Sequence, residues 1–241
     1  GGGVTFQQTF SPSTSGYLMY SMERNFLQSK IELDSLLNNR REVTHDKSGI
    51  TVGITRNTTN DPFNPTQGWK INGHFTYMGI GFKSRFNYYS SEFELSRYYQ
   101  LDKDWILAGK LSAGFIKPLK GDVTSIEDRF LIGGASSLRG WGRHQISPVN
   151  EKGELIGGNS KLEASAELRF PIYDIFSGVS FVDAGNVWRE AFDYQLSGLR
   201  YNAGLGLRVR TPIGPVRLDL ATPVLEGNYR IQFFVSIGHA F

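Results

Sequence analysis

The feature that most constrains the fold of this chain is an alternation of apolar and polar residues that returns along most of its length. It is clearest in residues 201–210, where one parity carries Tyr201, Ala203, Leu205, Leu207 and Val209. The other parity carries Asn202, Gly204, Gly206, Arg208 and Arg210. Because successive side chains of a β-strand point to opposite faces, this period of two predicts a strand with one apolar and one polar face.

About eleven segments of roughly ten residues share this period, and a tilted strand of that length crosses a bilayer. They are centred on Val4–Phe10, Leu18–Met22, Ile50–Thr55, Trp69–Tyr77, Phe93–Leu101, Trp105–Phe115, Leu162–Phe170, residues 176–188, Tyr201–Arg210, Val216–Ala221 and Ile231–Ile237. Short turns alternate with longer polar loops, which is typical of membrane barrels. A soluble β-sandwich is the alternative; the strand length and the terminal Phe241 argue against it.

Composition narrows the class further. The chain has 241 residues, of which 39% are hydrophobic, and this fits one large β domain. No segment approaches the roughly eighteen uninterrupted apolar residues of a membrane helix, so a helical membrane protein is excluded. The lack of cysteine excludes disulfide scaffolds and thiolate catalysis. The basic residues are dispersed, with a net charge of +3, so no nucleic-acid partner is predicted.

A long polar stretch, roughly residues 117–160, separates two of the alternating segments. Compact domains seldom keep such a loop without giving it a function. Within it, four glycines of residues 133–142 surround Arg139. Glycine lets the chain fold back sharply, so the loop can deliver the Arg139 guanidinium into a confined space, where it would need an acidic partner. The alternative is an ordinary solvated loop arginine.

Several stretches together resemble a known family, the BamA/TamA superfamily of outer-membrane assembly and secretion proteins. The similarity is to the C-terminal part of the family's barrel, and it is strongest after residue 125. The stretches that carry it are the loop motif Gly133–Trp141, the Phe-x-Asp-x-Gly strand Phe181–Trp188, the strand Ala166–Ile172, the turn Asp61–Gly68 and the C-terminal segment Phe233–Phe241.

The resemblance implies that the long loop folds into the barrel lumen and is locked there, with Glu167 and Asp183 as the acidic partners of Arg139. Such partners are needed, since an unpaired buried charge is costly. Phe181 shares the parity of Asp183, which suits a wall packed by an inserted loop; the alternative is that both carboxylates are solvated lumen-facing charges. The implied lock residues are Arg139, Gly140, Trp141, Glu167, Asp183 and Gly185. The implied C-terminal sorting signal and seam are Ile237, Gly238 and Phe241.

We therefore expect an all-β fold, a transmembrane antiparallel β-barrel with the long loop folded into its lumen. The resemblance implies about sixteen strands, of which residues 1–241 would supply about eleven as the C-terminal part of the barrel domain. The first strands and the family's soluble periplasmic repeats, called POTRA repeats, would then be absent. Because an open sheet leaves backbone groups unpaired in lipid, we expect a fragment. Closure with fewer strands is the alternative.

The function implied by the resemblance is that of an assembly factor in a bacterial-type outer membrane, which helps β-barrel proteins to fold and insert through a lateral seam. The alternative is a secretion pore that exports a dedicated passenger protein, of the two-partner or autotransporter type. A passive porin is disfavoured by the plug motif. The implied partners are outer-membrane lipids, nascent β-barrel or passenger proteins and, as a possibility, accessory lipoproteins.

Other chemistry is sparse in the sequence. The four histidines are scattered and lack metal-ligand spacing. The loop serines Ser136 and Ser137 do not lie in a Gly-x-Ser-x-Gly elbow. Gly204 and Gly206 lie inside a predicted strand, without the helix that a dinucleotide site requires. We therefore predict that the protein is not an enzyme and has no catalytic residue, cofactor or metal site.

Overall fold

The computed structural model describes residues 1–28, 42–81, 84–119, 121–212, 214–227 and 230–241. Within these ranges the chain forms eleven strands in one sheet, and the strand order follows the chain order. The strands are β1 Gly2–Ser11, β2 Thr14–Gln28, β3 Glu42–Asn57, β4 Gly68–Met78, β5 Tyr88–Asp102, β6 Trp105–Pro118, β7 Ser160–Tyr173, β8 Phe176–Trp188, β9 Arg200–Val209, β10 Val216–Val224 and β11 Gln232–Ile237.

Each strand pairs antiparallel with the next along the chain, so β1 and β11 are the two edges of the sheet. The predicted all-β antiparallel fold and the predicted number of about eleven strands are confirmed. Two short 3-10 helices, Ile126–Asp128 and Leu196–Gly198, interrupt the connections. In the described ranges, no helix has the length and the apolar content needed to cross a membrane.

Two strands are longer than their apolar alternation indicates. The sequence predicts cores at Leu18–Met22 and Ile50–Thr55, whereas β2 and β3 have 15 and 16 residues. Most of the extra residues are polar, and they stay paired because the ladder is made by backbone groups rather than by side chains. At this extension Arg24 and Asp46 lie opposite each other and form an ion pair of 2.6 Å.

The two faces of the sheet differ sharply in polarity. On the outer face, large apolar side chains remain accessible; Val52, Phe93, Leu205 and Val235 are between 43% and 65% exposed. A continuous apolar face of this kind is typical of the lipid-facing surface of a barrel. The inner face carries the polar parity, and it is covered by the connection between β6 and β7.

The connections differ at the two ends of the strands. One end, here called the short-turn end, has two-residue connections at 12–13, 103–104 and 174–175. The opposite end has the connections 79–87 and 189–199 and the long loop 119–159, here called the inner loop. The inner loop folds onto the inner face and packs an apolar core there. The buried members of that core are Phe86, Tyr88, Ile116, Phe130, Ile132, Leu138, Trp141, Ile146 and Val187.

Candidate functional site on the inner face

The tip of the inner loop is a tight reversal built on glycine. Gly133 and Gly134 have φ angles of 109° and 107°, a region that other residues rarely adopt. The Gly134 N–H group donates to the carbonyl oxygens of Leu138 and Trp141, and the Ser137 N–H group donates back to Gly134. This closed turn leads directly into Arg139, whose side chain reaches β7 and β8.

Arg139 is almost completely buried and is bonded to two carboxylates of the wall. Its Nε and Nη2 atoms donate to Oδ2 and Oδ1 of Asp183, at 3.0 and 2.7 Å. Its Nη1 donates to Oε1 of Glu167 at 2.6 Å, and Nη2 also donates to Ser165 Oγ at 3.1 Å. The side chain is 1% exposed. A bidentate pair of this geometry fixes both the position and the orientation of the guanidinium.

Phe181 packs against one face of the same guanidinium. The Cζ atom of Arg139 lies 3.4 Å from the centroid of the Phe181 ring, a close cation–π contact. Phe181 lies on β8 two residues before Asp183, so both side chains project to the inner face. The imperfect alternation of this strand therefore has a local cause, which is an aromatic ring under a buried cation.

Further charges of the wall surround this pair. Arg169 Nε donates to Oε2 of Glu167 at 3.0 Å, so that carboxylate is shared by two arginines. Asn202 Nδ2 donates to Asp183 Oδ2 at 2.8 Å. On the far side, Arg208 Nη1 donates to Asp219 Oδ1 at 2.5 Å, and Asp219 Oδ2 lies 3.9 Å from Nη1 of Arg139. The result is a connected network of alternating charges across β7, β8, β9 and β10, here called the lock.

Arg217 extends the lock toward the C-terminal edge of the sheet. Its Nη2 donates to the carbonyl oxygen of Ala135 in the inner loop at 2.7 Å. Its Nε donates to Ser236 Oγ on β11. The same side chain thus links the inner loop, β10 and the edge strand.

The remaining lock residues named from the sequence lie at the places where the loop approaches the wall most closely. A Cβ atom on Gly140 would lie 2.6 Å from Asn202 Cβ, and one on Gly185 would lie 2.9 Å from Leu138 Cδ1 of the inner loop. Trp141 is 1% exposed and lies in the apolar core of the inner loop. The structure therefore brings Arg139, Gly140, Trp141, Glu167, Asp183 and Gly185 into one docking interface. Their functional role stays a prediction.

The three C-terminal residues named from the sequence are divided between the two faces. Ile237 is outward and 65% exposed. At Gly238 the backbone has a φ of +90°, and the chain turns. Phe241 lies over Tyr98, with ring centroids 6.3 Å apart, while His239 Nε2 lies 3.0 Å from Asn64 Oδ1. The terminal aromatic ring thus packs on polar-parity residues, and its role as a sorting signal stays a prediction.

A second set of contacts holds the beginning of the inner loop. Lys47 Nζ lies 2.6 Å from Glu127 Oε1 and 2.7 Å from Asp128 Oδ2. His45 Nε2 lies 2.7 Å from the same Glu127 oxygen, and Tyr88 donates to Asp128 Oδ2 at 2.8 Å. Burial would raise the pKa of Glu127, but the bonds from Lys47, Ser125 and His45 lower it to about 2. We call this second anchor the base clamp.

Sequence reasoning missed the base clamp and half of the lock. His45 and Lys47 precede the segment predicted for β3, so no strand parity was assigned to them. The missed lock residues lie on the polar parity of predicted strands, and that parity was the available signal. They are Ser165, Arg169, Asn202, Arg208, Arg217 and Asp219. Among the described residues, no group of three His, Cys, Asp or Glu side chains is placed to hold a metal ion.

The fold and the lock together define a class of protein, the membrane β-barrels whose lumen holds a long loop anchored by an arginine. The particular family follows from comparison: the chain belongs to the Omp85 superfamily, whose domain matches residues 1–241. The predicted membership of the BamA/TamA superfamily is confirmed by this match and by the relatives. The predicted location in a bacterial-type outer membrane is likewise confirmed.

Two relatives and two solved structures illustrate the similarity. The outer membrane protein assembly factor BamA of Nitratidesulfovibrio vulgaris is 28% identical over 211 residues, covering 83% of this chain and 26% of that protein. The sorting and assembly machinery component 50 homolog of Bos taurus is 27% identical over 221 residues, covering 83% and 44%. The chain thus spans less than half the length of these relatives.

The structural neighbours show the same fold. The crystal structure of BamA from Haemophilus ducreyi lacking POTRA domains 1-3 has a TM-score of 0.81 at 23% identity, and covers 98% of this chain and 53% of that one. CdiB from Acinetobacter baumannii has a TM-score of 0.59 at 17% identity, covering 98% and 41%. The first likeness supports the barrel assignment for the eleven-stranded sheet.

Proposed function

We propose that this chain is the membrane-embedded part of an outer-membrane protein assembly factor, which assists the folding and insertion of β-barrel proteins through a lateral seam. Support comes first from its relatives, because BamA and the sorting and assembly machinery component 50 are named for assembly. The proposal carries no catalytic step and no cofactor, since strand pairing and burial of apolar surface supply the driving force.

The observation that carries the mechanism is the form of the C-terminal edge. Strand β11 has six residues and is the shortest described strand; it ends where Gly238 turns the chain off the sheet. A short edge strand makes few ladder hydrogen bonds and presents unpaired N–H and C=O groups. A nascent strand can pair with such an edge, while its apolar parity continues the lipid-facing surface formed by Phe233 and Val235.

The lock gives this edge a rigid support. Arg217 bonds both to the inner loop and to Ser236 of β11, so the docked loop reaches the edge through one side chain. The docked loop would keep the strands of the lock fixed relative to one another while the edge at β11 opens and closes. Nascent β-barrel proteins and accessory lipoproteins are the partners that the proposal includes.

Depletion of the full-length protein tests the function. Quantitative proteomics of the outer membrane should then show lower levels of many unrelated barrel proteins, restored by the wild-type gene. Unchanged barrel levels would contradict assembly.

The second candidate is a secretion pore, and the fold likeness to CdiB is the observation in its favour. In that case depletion should remove one exported passenger from the medium and leave the barrel proteins unchanged. The number of POTRA repeats in the full reading frame is an independent discriminator; several repeats favour assembly.

A further inference from the structure

An arginine of β5 lies on the outer, lipid-facing side of the sheet, away from the lock. The structure describes every outward position of β4 and of β6, and those of β5 as far as Leu101. None of these positions is Asp or Glu. Toward the short-turn end they include Trp69, Tyr99 and Trp105, each 40–55% exposed. Such rings mark the level at which a barrel meets the lipid headgroups. Arg97 shares this outward parity and lies among them.

Arg97 is stacked on an aromatic ring and has no anionic partner. It lies opposite Trp69 in the β4–β5 ladder, with its Cζ atom 4.4 Å from the centroid of the indole ring. Within the described ranges, no hydrogen-bond acceptor or carboxylate pairs with its guanidinium. Stacking uses the face of a guanidinium and leaves the N–H groups at its edge free to donate. At the level marked by the aromatic rings, such donors are available to lipid phosphates.

The surface on the other side of Arg97 is open. Its partner in the β5–β6 ladder is Gly109, and the partner of Gly109 on β7 is Ala166. A Cβ atom placed on Gly109 would meet a single neighbouring atom, the Ser165 oxygen at 3.8 Å. Two small residues side by side therefore leave a depression beside the guanidinium. The depression gives a headgroup access to donors that a larger side chain would cover.

A second cation lies diagonally across from the same tryptophan. Arg56 lies opposite Ile71 in the β3–β4 ladder, is exposed and shares the outward parity. Strands in a sheet are about 4.8 Å apart, and the β4 partners of the two arginines are two residues apart along the strand. Arg56 and Arg97 are therefore separated by about 12 Å across β4. In the described part of the chain, Arg56 also has no carboxylate partner. The two arginines give the surface around Trp69 a local positive charge, at the level where the aromatic rings lie.

We propose that Arg97, with Trp69, Gly109 and Arg56, forms a binding site for the phosphate of an anionic phospholipid in the leaflet at the short-turn end. The guanidinium edge of Arg97 donates to the phosphate oxygens, and the depression at Gly109 receives the glycerol backbone. Arg97 and Arg56 together favour a headgroup with net negative charge, because a zwitterionic lipid brings its own cation to neutralise the phosphate.

The test uses the full-length protein in detergent, titrated with short-chain phosphatidylglycerol and with short-chain phosphatidylcholine and followed by native mass spectrometry. The wild-type protein should bind phosphatidylglycerol more tightly. Replacement Arg97→Gln should lower the ratio of the two affinities about tenfold, the effect of losing a charged hydrogen bond. Arg97→Lys should keep most of the preference. Gly109→Leu should weaken binding of phosphatidylglycerol with both arginines still in place.

Arg24→Gln is the matched control, because Arg24 also faces outward but is already paired with Asp46. It should leave the ratio unchanged, and all variants should show the wild-type gel shift on heating, which reports a folded barrel. An equal affinity for both lipids in the wild type, or an unchanged ratio in Arg97→Gln, would overturn the proposal. Full competition by inorganic phosphate at the same concentration would also overturn it, since that result indicates an ion site without lipid recognition.

Discussion

At the scale of single residues, Arg139 shows how one side chain can hold a long loop on a wall. Its donors meet Asp183, Glu167 and Ser165, and its face meets Phe181. The partners of the buried guanidinium offset the free-energy cost of its desolvation. If Arg139 were removed, the carboxylates would remain as unpaired buried charges, which is costly. Glycine at position 140 allows the loop backbone to approach the wall, and glycine at position 185 leaves room for the Leu138 side chain of the loop.

The first prediction is an energetic coupling between Arg139 and Asp183. In a double-mutant cycle with Arg139→Ala and Asp183→Ala, measured by denaturant unfolding of the detergent-solubilised protein, we expect a coupling of about 0.5–3 kcal/mol, the range for contacting residues in one network. The folded barrel should persist, because its strands are held by backbone ladders. The inner loop of Arg139→Ala should be cleaved faster in limited proteolysis.

Arg143→Ala is the control for this cycle, since Arg143 lies in the same loop but is exposed. It should change neither stability nor cleavage. Strictly additive effects of the Arg139 and Asp183 replacements, with an unaltered cleavage pattern, would show that the Arg139 contacts contribute nothing to docking.

At the scale of elements, the sequence predicts the strands well. It predicts less well which side chains of those strands contact the inner loop. The alternation in residues 201–210 predicts β9 almost to the residue, because each side chain has either lipid or a polar interior to face. The same signal fails for His45 and Lys47, where β3 extends beyond the apolar band. Parity places Arg208 and Asp219 on the inner face, but whether they meet the loop depends on the path of residues 119–159, which no local pattern encodes.

The second prediction concerns the pH dependence of the base clamp. The pKa of Glu127 is lowered from 4.5 to about 2, so its bonds stabilise the docked loop fully above pH 4.5. This contribution should be lost progressively as the pH falls from about 4.5 toward 2, where Glu127 becomes protonated in the folded protein. A spin label near the 3-10 helix Ile126–Asp128 should become more mobile over this window.

The matched variant for this titration is Glu127→Gln, which cannot lose a charge. Its spin label should be more mobile than that of the wild type at neutral pH, and its mobility should change less between pH 4.5 and 2. A transition of equal size in the variant would assign the acid effect to groups other than Glu127.

At the scale of the whole molecule, the inner loop is anchored to strands that are far apart in the sheet. Its tip bonds to β7, β8 and β10 through the lock, and its beginning bonds to β3 and β5 through the base clamp. The segment between the anchors packs the apolar core that includes Trp141 and Phe130. The loop therefore links opposite parts of the inner face, and it can limit how far the edge at β11 moves.

The third prediction is that the two anchors act together. When one anchor is broken, the other keeps the loop near the wall at a high effective concentration, so most of the docking should survive. Lys47→Met alone and Arg139→Ala alone should therefore raise the rate of loop cleavage modestly. The combined variant should raise it by more than the product of the two single factors, because both anchors are then weakened and neither keeps the loop near the wall. Lys70→Met, which removes an inward lysine that stacks on Tyr98, should leave the rate unchanged, alone or combined with Arg139→Ala. Heat-modifiability gels should show a folded barrel in every variant. A combined variant that is cleaved no faster than Arg139→Ala would mean that the lock alone docks the loop and that the base clamp follows it passively.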